Sequence, residues 1–209
     1  MNAVLDLGVL VATFAVIFPA ELPDKSFIAT LVLATRYRRL LVWLGATLAF
    51  AVQMVIAVAA GQVLSLLPQT PVLVVTAVLF AVGAVVLVRG GLRAREAEEA
   101  EEAQEEAEIA AKAAGGRQGF AAFATTFAVI FTAEWGDLTQ LVTAGQAART
   151  GLPVSVFLGA TLALSAVAGI GTLAGGWLQH RVPLWRVRLL SGALLAVLAV
   201  VTVVEIVRG

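Results

Sequence analysis

Long runs of apolar residues follow one another along this chain, separated by short polar segments. Six of them are long enough to cross the roughly 30 Å of a bilayer's hydrocarbon as helices. They occupy residues 3–35, 40–66, 71–88, 119–147, 153–178 and 186–207. A charged fraction of 13% and a mean hydropathy of +0.96 indicate the same class. The pattern therefore predicts an all-α polytopic membrane protein with six transmembrane helices.

The first and fourth runs are longer than one crossing needs, and they contain nearly the same sequence. TFAVIFPAELPDKS at residues 13–26 returns as TFAVIFTAEWGDLT at residues 126–139. Pro23 in the first copy removes a backbone donor, and Gly136 in the second weakens a helix locally. We therefore expect both helices to be broken at these segments.

The repeat continues beyond the two segments. LGATLA at residues 44–49 recurs at residues 158–163, and Arg36 corresponds to Arg149. Each copy then holds three apolar runs, and because three is odd the second copy must enter the membrane from the opposite side. The sequence predicts two inverted three-helix repeats. The repeats and the charged linker between them cover residues 1–88, 119–209 and 89–118.

Basic residues are concentrated in the connections after the first, third and fifth runs. They are Arg36, Arg38, Arg39, Arg89, Arg93, Arg95, Lys112, Arg117, Arg181, Arg186 and Arg188, against only Arg149 and Arg208 on the other side. The positive-inside rule then predicts that both termini face outward and the linker is cytoplasmic. No Lys or Arg precedes Lys25, so we expect the first run to remain as a membrane segment rather than act as a signal peptide.

The linker carries eight Glu residues between positions 96 and 108. Strong helix formers surround them, so a short exposed helix or a helix-rich linker is expected. Such a segment either forms a solvated tether between the halves or gathers divalent cations near a cytoplasmic entrance. The tether is the more common role of a charge run of this kind.

Four carboxylates lie inside the first and fourth runs: Glu21, Asp24, Glu134 and Asp137. An ionised side chain at membrane depth costs at least about 2.5–3.5 kcal/mol on insertion scales, so it needs a partner, a cavity or a bound cation. Lys25 is the one basic residue at that depth, so ion pairs with basic side chains cannot neutralise most of these acids. Neutral oxygens come from Ser26, Thr139 and Gln140. Because Ca²⁺ and Mn²⁺ prefer such oxygens, the motifs predict a site for a transported divalent cation.

Carboxylates that crowd together in a low dielectric repel one another, so we expect some to hold protons until a cation replaces them. Release of protons on binding and reprotonation after the halves move would give antiport. Lys25 has no counterpart, since Leu138 stands at its place. Its ammonium group either balances the charge of Asp24 in the empty state or snorkels to the interface. Gln53 in the second run either lines the pathway or bonds to a neighbouring helix, the more common case.

Several other functions are excluded or disfavoured by composition. The chain has no cysteine, so disulfides and thiolate metal sites cannot form. The chain has one histidine, His180, so it cannot form the H-E-x-x-H motif of an intramembrane metalloprotease. His180 lies beside Arg181 in a basic connection, and this location disfavours a serine–histidine hydrolase within the membrane. A formal net charge of zero gives no reason to expect a nucleic-acid partner. We expect a transporter rather than an enzyme, with no resident cofactor.

The duplicated motif resembles the signature of the GDT family, the transmembrane protein 165-like divalent cation:proton exchangers of the lysine-exporter superfamily. That signature, Glu-x-Gly-Asp-(Lys/Arg)-(Ser/Thr), stands here as ELPDKS at residues 21–26 and EWGDLT at residues 134–139. The resemblance implies exchange of Mn²⁺ or Ca²⁺ for protons, with manganese efflux or homeostasis as the usual bacterial role. It also implies the cation-site residues Glu21, Asp24, Ser26, Glu134, Asp137 and Thr139.

This chain departs from the signature at two positions. Pro23 replaces the glycine of the first copy, and Leu138 replaces the basic residue of the second. The main alternative function is an exporter of a small organic cation or amino acid, which the wider superfamily allows, although acids with hydroxyls favour a metal. We expect the protein in the cell membrane. The residues leave open the preference between Mn²⁺ and Ca²⁺ and the formation of a homodimer.

Overall fold

The computed structural model describes residues 5–22, 25–66, 68–112, 119–179 and 184–208, and this part of the chain forms helices without any strand. In chain order the helices are α1 (Leu7–Glu21), α2 (Lys25–Arg36), α3 (Arg39–Leu64), α4 (Gln69–Lys112), α5 (Phe120–Ala133), α6 (Leu138–Thr150), α7 (Pro153–Gln179) and α8 (Leu184–Arg208). The all-α class predicted from the apolar runs is confirmed.

Three helical segments are each long and apolar enough to cross a membrane: Arg39–Leu64, Thr70–Leu92 and Pro153–Leu173. The pair α1 and α2 meets the same criterion together, as a span bent by 68° at its break. α5 is a shorter apolar helix. Large apolar side chains such as Val55 and Val78 are about half exposed on the outer faces of α3 and α4. Those faces suit contact with lipid rather than water.

Both helix breaks lie at the duplicated motifs, where the sequence predicts them. α1 ends at Glu21 and α2 begins at Lys25, while α5 ends at Ala133 and α6 begins at Leu138. Pro23 and Asp24 lie outside the described residues. At the second break Gly136 has a φ of 77°, a conformation that glycine adopts at little cost and other residues avoid.

The helix that contains the third apolar run continues far beyond the end of that run. α4 extends without interruption to Lys112, so the first part of the predicted linker at residues 89–118 is helical. The side chains of residues 93–112 lie outside the described part of the structure, and the role of their Glu residues stays a prediction. The division into residues 1–88, 89–118 and 119–209 also stays a prediction.

The two halves interlock through equivalent contacts. α1 packs against α7, and α5 packs against α3. A Cβ atom added at Gly159 of α7 would lie 2.5 Å from the carbonyl oxygen of Leu10, and one added at Gly45 of α3 would lie 2.6 Å from that of Phe123. These two pairs occupy equivalent positions of the repeat. Each half therefore places its first helix directly against the backbone of the other half.

The remaining contacts also join helices of one half to helices of the other. α2 packs against α7 and α6 against α3, while α4 and α8 pack against each other. The main core cluster lies between α1, α2, α3, α5 and α7, and its largest fully buried members include Phe27, Leu33, Phe50, Ile130 and Leu164. The two helix breaks are therefore held in the interior of the bundle by long helices on both sides.

We predict that Gly45→Ala and Gly159→Ala each destabilise the protein. The new methyl group would meet a backbone carbonyl that cannot rotate away, and overpacking of this kind costs about 1–3 kcal/mol. The measurement is the thermal unfolding midpoint of the purified protein in detergent. Ala59→Val is the matched control, because Ala59 is an exposed residue of α3. An unchanged midpoint in the two glycine variants would contradict the close helix approach.

Candidate cation site at the helix breaks

Three carboxylates meet where the two helix breaks lie side by side. One carboxylate oxygen from each of Glu21, Glu134 and Asp137 lies within 4.8 Å of the other two. Glu21 is 1% exposed and Glu134 is 3% exposed, and Asp137 is partly buried. Because one acid comes from the first motif and two from the second, the cluster joins the two halves.

Glu21 lies at the centre of this cluster and accepts hydrogen bonds from both halves. The Ser26 hydroxyl donates to its Oε2 atom over 3.0 Å, and the Thr139 hydroxyl donates to its Oε1 atom. Ser26 and Thr139 occupy equivalent positions in the two motifs, at the starts of α2 and α6, and both are buried. The two second helices therefore each present a hydroxyl to one carboxylate.

The second break is shaped by its own residues. The Asp137 Oδ1 atom accepts from the backbone N–H of Gln140 over 2.9 Å and so caps the start of α6. A helix N-terminus carries partial positive charge, so a carboxylate is favoured there. The backbone N–H of Asp137 donates to the Glu134 carbonyl over 3.3 Å. Both acids of the second motif are thus attached to one tight turn.

Gln140 fixes the shape of that turn with both ends of its amide. Its Nε2 atom donates to the Glu134 carbonyl over 2.7 Å, and its Oε1 atom accepts from the Gly136 N–H over 3.3 Å. In this structure its polar atoms are therefore engaged with the backbone of the break. Its equivalent in the first half is Phe27, which cannot make such bonds.

Gln53 supports the site from outside the motifs, and the motif pattern alone does not identify it. Its Nε2 atom donates to the Phe131 carbonyl over 3.1 Å. That carbonyl lies in the last turn of α5, where helix ends leave acceptors without an intrahelical partner. Of the two roles open from the sequence, Gln53 makes the bond to a neighbouring helix. The sequence signal is an amide side chain near the middle of a mostly apolar span.

The structure brings together most of the predicted site. Glu21, Ser26, Glu134, Asp137 and Thr139 converge, and Gln140 lies beside them. Asp24 lies outside the described residues, as does His180. Lys25 begins α2, but its side chain also lies outside the described part, so its charge-balancing role stays a prediction.

The arrangement brings carboxylate and hydroxyl oxygens together in one largely buried cluster. Oxygen ligands of this kind suit hard divalent cations, which take six or more of them. The cluster also concentrates negative charge in a low-dielectric environment, where carboxylates are unfavourable together unless a cation or protons neutralise them. The chemistry therefore fits a site that takes either a divalent cation or protons.

Comparison with known proteins agrees with this chemistry. A family model described as Divalent cation/proton antiporter GDT1 matches residues 9–95 and 122–209. The chain is 31% identical over 187 residues to the GDT1-like protein sll0615 of Synechocystis sp. (strain ATCC 27184 / PCC 6803 / Kazusa), covering 88% of this chain and 90% of that protein. It is 32% identical over 218 residues to the GDT1-like protein 1, chloroplastic, of Oryza sativa subsp. indica, covering 95% of this chain and 62% of that protein. No solved structure matches the chain.

We predict that Thr139→Val weakens divalent cation binding by about tenfold or more, since the buried Glu21 carboxylate loses a donor and the site loses an oxygen, a loss of roughly 1–3 kcal/mol. The measurement is Mn²⁺ binding by calorimetry with the purified protein. Thr126→Val is the matched control, because this buried hydroxyl donates only to the Ala122 carbonyl of its own helix, over 2.8 Å. Equal affinities in the two variants would contradict the placement of Thr139 in the site.

Proposed function

The chain belongs to the GDT1 family of divalent cation/proton antiporters, and on this premise we propose that it exchanges Mn²⁺ or Ca²⁺ for protons, with manganese efflux as its role. The observation that carries the proposal is the meeting of Glu21, Glu134 and Asp137 at the junction of the two halves. Such a buried cluster at a repeat interface is where secondary transporters bind their cargo.

The donor chemistry supports this choice of cargo. Carboxylate and hydroxyl oxygens favour Mg²⁺, Ca²⁺ and Mn²⁺, whereas thiolates and imidazoles favour Zn²⁺ and copper. The chain has no cysteine and one histidine. Mg²⁺ gives up its waters reluctantly, which disfavours it for a site enclosed by helices. Ca²⁺ and Mn²⁺ remain as the cargo that the site fits best.

The exchange step follows from the hydrogen bonds in the cluster. In the structure the Ser26 and Thr139 hydroxyls donate to Glu21. When a cation enters, each hydroxyl turns an oxygen lone pair toward the ion, and the carboxylates release the protons they hold. When the cation leaves on the other side, protons return to the carboxylates. One site thus serves both ions in turn, which couples their movements.

The packing supports the inverted-repeat arrangement. A pair of equivalent contacts, α1 on α7 and α5 on α3, is the pattern that a two-fold axis produces. We propose six spans, with α1 and α2 together forming the first and α5 and α6 together the fourth. With three spans in each half, the axis lies in the membrane plane. Rocking of one half against the other would then expose the acids to each side alternately.

The orientation follows from the basic residues. We propose that the protein lies in the cell membrane with both termini outside. The α2–α3 connection, with Arg36, Arg38 and Arg39, then faces the cytoplasm together with the extended part of α4. The α6–α7 connection at residues 151–152 faces outside.

Metal flux in proteoliposomes tests the exchange. We predict that an imposed pH gradient drives Mn²⁺ and Ca²⁺ movement, and that Glu134→Gln and Asp137→Asn each reduce it by about tenfold or more, as for the loss of a charged ligand worth at least 1.4 kcal/mol. Asp6→Asn is the matched carboxylate-to-amide control. Asp6 caps α1 by accepting from the Val9 N–H over 3.0 Å, and asparagine caps equally well.

The outcomes of this measurement separate the candidates. Gradient-driven flux that is lost in both site variants and kept in Asp6→Asn supports the exchange, and the ratio of the two metals identifies the preferred cargo. A native protein that elutes as a folded species yet moves neither metal would exclude the proposal. An exporter of a small organic cation or amino acid would then be the better account.

A second prediction tests the inverted orientation. Arg38 and Gly151 occupy equivalent positions of the two halves, and both are exposed. Because the chain has no cysteine, Arg38→Cys and Gly151→Cys each carry a single thiol. We expect a membrane-impermeant maleimide to modify Gly151→Cys in intact cells and Arg38→Cys only after lysis. Modification of both thiols in intact cells would contradict the inversion.

A further inference from the structure

A large cavity opens near the end of α6, away from the acid cluster. It has a volume of about 1120 Å³ and lies between α1, α4, α8 and the connection from α6 to α7. Much of its wall is apolar. Its polar lining comes chiefly from Ser65, Arg149, Thr150, Glu205 and Arg208. These residues lie on the side of the protein that carries the α3–α4 and α6–α7 connections.

Arg149 closes the inner side of this cavity. Its Nη1 atom pairs with Glu205 Oε1 over 2.9 Å, and its Nη2 atom donates to Gln146 Oε1 over 3.2 Å. The Arg149 side chain is 16% exposed and that of Glu205 is 44% exposed. The guanidinium group therefore links α8 to Gln146, which is itself buried at 2% exposure.

A polar face of α6 continues from Gln146 to the acid cluster. Thr139, Thr143, Gln146 and Thr150 are spaced by four, three and four residues, so they lie on one side of the helix. The first three are buried. Thr139 donates to Glu21, and Gln146 lies about 10 Å further along the axis, since seven residues rise 1.5 Å each. Polar side chains on one face of α6 thus lie between Thr150 at the cavity and Thr139 at the site.

The neighbouring face of α6 offers no comparable route. Between α6, α1, α4 and α8 the described residues form an apolar cluster with Val16, Phe80, Val142 and Leu195 at its centre. Phe80 and Leu195 are at most 1% exposed. A hydrated cation cannot cross such packing without losing its water to hydrocarbon. The polar face of α6 is therefore the favourable route between cavity and acids.

The equivalent helix of the first half lacks this continuity. The positions that match Thr139, Thr143, Gln146 and Thr150 are Ser26, Thr30, Leu33 and Tyr37 in α2. Leu33 is fully buried at 0% exposure, and Tyr37 is 7% exposed. The polar series of α2 is thus interrupted at Leu33, about two helical turns beyond Ser26. The two halves differ in sequence at the very position where Gln146 stands.

We propose that the cavity is the cation vestibule on the α6–α7 side of the membrane, that Thr143 and Gln146 line the passage to the acids, and that Arg149 is its gate. The inference rests on the proposed exchange, since the passage leads to the acid cluster. A guanidinium group on the route repels a divalent cation. Passage therefore requires Arg149 to release Gln146 while it stays paired with Glu205, which frees the Gln146 Oε1 atom to face the ion.

Single-cysteine accessibility tests the passage. The chain has no cysteine, so Gln146→Cys can be compared directly with its repeat counterpart Leu33→Cys. A membrane-impermeant methanethiosulfonate reagent is added to either face of proteoliposomes. We expect Gln146→Cys to react from the face that also modifies Gly151→Cys, about tenfold faster than Leu33→Cys reacts from either face. Mn²⁺ should slow the reaction of Gln146→Cys.

The gate is tested by adding Glu205→Gln to the Gln146→Cys protein. Loss of the ion pair should change the reaction rate of the thiol, and Asp6→Asn should leave that rate unchanged. If Gln146→Cys reacts no faster than Leu33→Cys, with or without Glu205→Gln, the passage is excluded. An unchanged thiol rate in the Glu205→Gln protein would exclude the gate while leaving the passage supported by the contrast with Leu33→Cys.

A second measurement, of Mn²⁺ flux, tests the role of Gln146 without introducing a cysteine. Gln146→Leu, which installs the residue found at Leu33, should lower Mn²⁺ flux by about tenfold while the protein still elutes as a folded species. Native flux in that variant would exclude a role for Gln146 in the passage. Failure of the proposed exchange can be told apart from failure of the passage. If the exchange is wrong, the native protein moves no metal, but Gln146→Cys still reacts faster than Leu33→Cys, because thiol labelling needs no metal.

Discussion

The rest of this structure depends on one constraint, which is that a carboxylate buried between two helix breaks must be stabilised. Glu21 is almost completely enclosed, and a charge or an unsatisfied carboxyl group in hydrocarbon is costly. The bundle compensates by directing one hydroxyl from each half at it, from Ser26 and Thr139. Those hydroxyls reach Glu21 only because α2 and α6 both start beside it. Each break is therefore needed to stabilise the same group.

Close helix packing is what brings the breaks together. α1 and α5 approach α7 and α3 until backbone meets backbone at Gly159 and Gly45, and small residues allow such contact in membranes. Since the two contacts are equivalent, both first helices are held at matching depths. Their C-terminal ends, with Glu21 and Glu134, then lie within reach of each other. The glycines in LGATLA thus allow the close helix contacts that bring the acids of the two motifs together.

The sequence predicts those features that depend on local pattern or on the duplication itself. Apolar runs of helical length identify the all-α class, and the motifs with Pro23 and Gly136 locate both breaks. The inverted arrangement that we propose would also explain why acids far apart in the chain converge, because such a repeat places equivalent segments at its axis.

Other features depend on which side chain reaches which backbone group, and they cannot be read from the pattern. Gln140 could supply a ligand by its type, yet in the fold its amide bonds to Glu134 and Gly136. The bond from Gln53 to the Phe131 carbonyl depends on how α3 crosses α5. The helix formers of the Glu-rich segment predict a helix there, but not that it continues from the third apolar run as the single helix α4.

The differences between the two halves bear on how the exchange that we propose can treat the two sides of the membrane unequally. Gln140 and Gln146 in the second half replace Phe27 and Leu33 in the first, and both apolar residues are fully buried. In the passage that we propose, polar groups along α6 would lower the cost of hydrating the site from its side, whereas α2 presents apolar packing. Such an asymmetry cannot set the direction of net exchange, which follows from the ion gradients alone. It acts instead on the free energies of the two open states, and so on the side toward which the empty protein rests.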